Sequence, residues 1–130
     1  MPALSSFDYA VFRFVPRVER EEFINVGVIL FCRTRRFLGT RLHLDPQRVT
    51  AIAPQFDLRH IQAHLDLITQ VAQGGVDAGP IGQLALADRF HWLTSPRSTV
   101  LQVSPVHCGL CDDPQTALDD LFDRLVSLDS

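Results

Sequence analysis

Lysine is absent from this chain of 130 residues, and all 12 of its basic residues are arginine. A composition bias of the source explains that more simply than selection for forked donors, so no function follows from it. No apolar run approaches the ~18 residues that a membrane-spanning helix needs. The opening residues, MPALSSFD, lack the basic start and apolar stretch of a signal peptide, so a cytoplasmic protein with no membrane partner is expected. Cysteine is sparse, at three, and an odd number cannot pair fully within one chain, which agrees with a reducing compartment. No internal repeat, low-complexity tract or nucleophile elbow is present. What remains is an ordinary globular composition, 46% hydrophobic and 21% charged, at a length that suits one domain over residues 1–130.

Residues 9–32, YAVFRFVPRVEREEFINVGVILFC, carry the organising pattern. Aromatic and β-branched residues make 9–15 a strand with Ala10, Phe12 and Phe14 on one face and Tyr9, Val11, Arg13 and Val15 on the other. Residues 24–32 are more continuously apolar and read as a central strand, Val26, Val28, Leu30 and Cys32 opposing Asn25, Gly27, Ile29 and Phe31. Gly27 inside it signals a bulge or the close approach of another backbone or ligand. Residues 37–45 alternate as a third strand. Asp45 with Pro46, Asp57, and Asp113 with Pro114 are helix starts. The helix after Asp57 repeats apolar residues at three and four and stops at Gly74 and Gly75. Residues 84–93 form a short helix or an irregular cover. The expected fold is α+β: an antiparallel sheet of about four strands, a β-meander over 8–45 plus a strand near 99–103, covered by helices near 57–73 and 114–128.

Tyr9, the turn at 13–16, Arg20, Glu22 and the Asn-Val-Gly-Val of 25–28 resemble the uncharacterised bacterial family catalogued as Domain of Unknown Function 3037. Segments 95–104 and 107–114 are similar to its C-terminal half. The resemblance implies a shared fold and no activity or cofactor. It also implies a protein partner, because such genes often lie beside one for a kinase-like protein of the persistence-toxin type.

Three constellations are candidates for chemistry. His107, Cys108 and Cys111 in HCGLC offer soft ligands or a dithiol, but structural zinc needs four ligands and Asp112 and Asp113 oppose a thiolate, so neither metal nor redox function is expected. Arg13, Arg20, Glu22, Asn25 and Gly27 at the first hairpin, with Arg97 joining, form the candidate ligand-binding set. The competing reading is an internal ion pair from Arg13 to Glu22 that fixes register. Ser95, Ser98 and Ser104 beside prolines read as turn makers, and no catalytic residue is expected. His60 and His64, four apart, read as a solvated face. Residues 1–50 hold eight arginines and five acids, net +3, against −6 for the rest. Arg33, Arg35, Arg36 and Arg41 cluster around a turn, yet without an aromatic platform in a net acidic chain nucleic acid is not expected as partner. The function expected is a non-catalytic interaction module acting with a larger protein, with self-association a further option. The alternative is a domain that binds or processes a phosphorylated ligand or nucleic acid through the hairpin arginines.

Overall fold

A strand that is apolar on both sides can be buried only in the middle of a sheet with cover on each face, and β2 has that position. The structure is a computed structural model that describes residues 3–127. Among them an antiparallel sheet of five strands and five α-helices occur in the order β1 (Ser5–Phe14), β2 (Ile24–Cys32), β3 (Phe37–Leu42), α1 (Pro46–Ile52), α2 (Leu58–Gln73), α3 (Gly79–Gly82), α4 (Leu86–Thr94), β4 (Leu101–Val103), β5 (His107–Cys111) and α5 (Pro114–Leu125). The spatial order is β3-β2-β1-β4, and β5 also pairs with β1, further along the same edge. This is the expected α+β meander with one strand more than expected. The last residue of the expected final helix, Leu128, lies outside the described residues.

The capping signals act as the sequence indicates. Asp45 accepts from the Gln47 N–H at 2.9 Å, Asp57 from the Arg59 N–H at 3.0 Å, and Asp113 from the Thr116 N–H at 3.0 Å, with Pro46 and Pro114 at the first helical positions. At its other end α2 stops at Gly74, whose φ of 77° favours glycine. There the buried Arg89 of α4 donates to the carbonyls of Val71 and Ala72 at 3.1 and 2.9 Å and to Leu84 at 3.1 Å. A cation at a helix C-terminus satisfies orphan carbonyls and opposes the negative end of the helix dipole.

Two apolar clusters flank the sheet. On one face Ala10, Phe12, Phe14, Ile24, Ile29 and Phe31 pack against Ile61, Leu65, Ile68 and Val71 of α2 and Phe90 and Leu93 of α4. On the other, Phe7, Val28, Leu30 and Cys32 pack against Leu118, Leu121 and Phe122 of α5. The two long helices therefore cover opposite faces. One expected face assignment is corrected. Val26 belongs with Ile29 and Phe31, because the β1–β2 register passes from Phe12↔Gly27 to Arg13↔Asn25 and skips it. That extra residue is a bulge, and it reverses the alternation beyond Gly27.

β4 and β5 behave as one interrupted strand beside β1. Val103 faces Phe12 and His107 faces Tyr9, so Pro105 and Val106 share the space opposite Ala10. Ser104 bridges the interruption. Its N–H donates to the Val11 carbonyl at 2.8 Å, its hydroxyl accepts from the Val11 N–H at 2.9 Å, and the hydroxyl donates to the Pro105 carbonyl at 2.9 Å. Ser104 is thus a buried ladder element, where the sequence suggests only a turn maker.

Candidate interaction site

The hairpin set does not assemble into one pocket. Arg13 and Asn25 sit opposite each other on β1 and β2. The Arg13 guanidinium lies over the Phe23 ring, 4.7 Å from its centroid, and the Asn25 amide donates to the Leu125 carbonyl at the end of α5, at 3.0 Å. Arg13 Nε and Asn25 Oδ1 are buried and have no partner among the described residues. Glu22 pairs with Arg20. The expected Arg13–Glu22 ion pair is therefore corrected: Glu22 is taken by its own turn, where Glu21 adopts a left-handed φ of 56°, and an aromatic face supports the arginine. Arg97 is on the opposite side of the sheet, stacked 3.6 Å from the Trp92 ring centroid and donating to the Trp92 carbonyl at 2.7 Å. Gly27 is where a neighbour comes close. A Cβ there would run into Leu42 Cδ2 and stand 3.0 Å from the Arg41 carbonyl oxygen, so the approaching group is β3, not a ligand.

The turn arginines also disperse. Arg33 lies 5.5 Å from the Phe31 ring centroid, Arg35 donates to Ser5 Oγ at 3.1 Å, and Arg41 pairs with Asp119 at 3.2 Å while covering Phe122. A groove of about 430 Å³ beside the first hairpin is lined by Pro16, Arg17, Arg20, Glu22 and residues 52–56. It holds an acid among its bases and its arginines are exposed, so it offers an anion no enclosed, uniformly cationic seat.

The HCGLC run becomes β5, and the strand sets its chemistry. Residues 108 and 111 are three apart on an extended chain and so project to opposite faces. Cys111 is buried beside Phe7 and Leu118, whereas Cys108 is exposed and donates to Asp8 Oδ1 at 3.3 Å. They do not form a dithiol. Both thiols are pushed above their ordinary value, Cys108 chiefly by its hydrogen bond to Asp8 and Cys111 chiefly by burial and then by Cys32. Asp113 opposes a Cys111 thiolate in the expected direction, but it stands last among the causes, behind burial and Cys32. Among the described residues no three His, Cys, Asp or Glu side chains group as a metal site.

Among the described residues β5 is also an open edge. Val15 and Val11 direct their backbone groups toward Val100 and Ser104, and antiparallel strands alternate, so Tyr9, Phe7 and Ser5 direct theirs toward His107, Gly109 and Cys111. The N–H and C=O of Cys108 and Leu110 consequently point away from the sheet. Leu110 is 66% exposed and Val106 47%. A groove of about 390 Å³ runs beside this edge under α5, with Phe7, Cys111, Ala117 and Leu121 among its lining. The sequence gives little warning of this surface, since HCGLC holds none of the β-branched or aromatic residues that mark a strand and its Gly weakens one; the absence of charge from 104 to 111 is the available signal. Ser104 and Arg89 were likewise hidden, because a polar residue's burial depends on which carbonyls the fold brings to it.

A family model described as a protein of unknown function, DUF3037, matches residues 9–126, nearly the whole chain. No curated protein and no solved structure matches. Among the described residues no helix is long and apolar enough to cross a membrane.

Proposed function

The chain belongs to the DUF3037 family, and from that premise we propose that it is a non-catalytic protein-interaction module, bacterial and cytoplasmic, acting with a larger and kinase-like protein. The observation that carries this reading is the β5 edge, where outward backbone groups, exposed Val106 and Leu110 and an adjoining groove form one continuous surface. Separation of the arginines supports it further. A phosphorylated-ligand or nucleic-acid site needs them to converge, and Arg13, Arg20 and Arg97 each engage a different neighbour. The alternative keeps one foothold, the groove holding Arg17 and Arg20.

The test is affinity purification from the source organism, with mass spectrometry, of the wild type, Leu110→Arg and Arg17→Ala/Arg20→Ala, each with and without nuclease. A protein that co-purifies with the wild type, survives nuclease and is lost with Leu110→Arg is the expected result. Nuclease-sensitive capture, or loss only in the arginine variant, would replace this reading with the alternative.

A further inference from the structure

We propose that β5 pairs with β5 of a second copy of this chain, in antiparallel register about a two-fold axis at Cys108. The inference rests on the reading of β5 as a contact surface and names what occupies it when the larger protein does not, since one strand edge takes one partner at a time. Its first support is the direction of the backbone. Cys108 and Leu110 present their N–H and C=O outward, and a dyad at Cys108 sets Cys108 against its own copy, so the two residues exchange two hydrogen bonds. The same register sets Leu110 of each copy against Val106 of the other. Exposed at 66% and 47%, these two would cover each other as cross-strand apolar neighbours. Pro105, which has no N–H, falls opposite Cys111, whose own groups are turned toward β1, so no donor is missed there.

Charge points the same way. Natural sheet edges are kept apart by charged side chains, bulges or prolines directed at the edge; residues 106–111 carry no formal charge, and the proline and irregularity at 105–106 lie at the end of the paired stretch and not at its centre. The opposite edge, β3, carries Arg41. In the proposed register the acids that follow β5 stay apart. Asp112 of each copy lies beyond the far end of the other's strand, the two separated by roughly eight residues or about 26 Å along the ribbon. The Asp8 carboxylates, each bonded to Cys108 on its own chain, are three strand spacings apart, about 14 Å, beyond the screening length of about 8 Å at physiological salt. A contact of five residues a side with a few apolar side chains falls below the area of a permanent dimer, so the association is reversible.

Sedimentation velocity of the purified chain over a wide range of concentration tests this, together with a short thiol–thiol bismaleimide cross-linker. The expected results are a monomer–dimer equilibrium, a covalent dimer that disappears in Cys108→Ser, and at least about tenfold weaker dimerisation in Leu110→Arg, whose circular dichroism should match the wild type. Cys108→Arg, which sets two like charges together at the axis, should abolish the dimer. A wild type that stays monomeric throughout, or a dimer unaffected by both arginine variants, overturns the proposal. If that monomer still loses its co-purifying protein on Leu110→Arg, the pairing fails while the interaction reading stands; a dimer that captures only nuclease-sensitive material has the reverse meaning.

Discussion

Gly27 shows how far a single residue can be understood from sequence. A glycine inside an apolar strand implies a bulge or a close approach, and both occur: Val26 is the bulged neighbour, and β3 closes over Gly27. What approaches was not legible, because that depends on where Leu42 falls in the β2–β3 register. Gly27→Val should therefore destabilise by more than ~1 kcal/mol despite valine's better strand propensity, since the branched side chain meets both a leucine and a backbone carbonyl. Thermal denaturation measures it, and an unchanged or higher Tm would mean that the contact yields freely. Arg13 was legible as unusual, the only charge in residues 9–15, but its support was not: an exposed phenylalanine two residues before Asn25 carries no mark of stacking on a cation.

At the scale of elements, helices were easier to read than short strands. Asp57 and Asp113 announce α2 and α5 by cap and period, and β4 falls within the strand expected near 99–103, whereas β5 has no pattern of its own and owes its conformation to pairing with β1. Ser104 joins these two. Its hydroxyl substitutes for a ladder carbonyl at Val11, so Ser104→Ala leaves that buried N–H without a partner and should cost about 1–3 kcal/mol. The loss should be local as well: hydrogen exchange at Val11 and through β5 should accelerate more than exchange in β2 and β3. Uniform acceleration across the sheet, or none, would show that the serine does not hold β4 and β5 in line.

For the whole molecule, the sequence indicates two amphipathic helices but not that they cover opposite faces, since each apolar stripe fits either face and only the connections decide. The result is a sheet clamped between α2 with α4 and α5, and each side is anchored by a capping aspartate. The Asp57 carboxyl is held below its ordinary 3.8 by the side chain of Arg59 and then by the Arg59 N–H, and that of Asp113 by the hydroxyl of Thr116 and then its N–H. Groups depressed in the folded chain stabilise it fully above the unfolded value, and the contribution is lost as pH falls through the folded one. Acid below about pH 4 should thus loosen both helical layers, and the effect should shrink with salt because both carboxylates are exposed. Asparagine caps a helix nearly as well as aspartate but does not titrate in this range. The double variant Asp57→Asn/Asp113→Asn should keep a Tm close to the wild type at neutral pH and show a shallower fall of Tm below about pH 4. An equally steep fall in the variant would place the acid sensitivity in other carboxyls, and a large loss at neutral pH would mean that the charge, and not the cap geometry, anchors the helices.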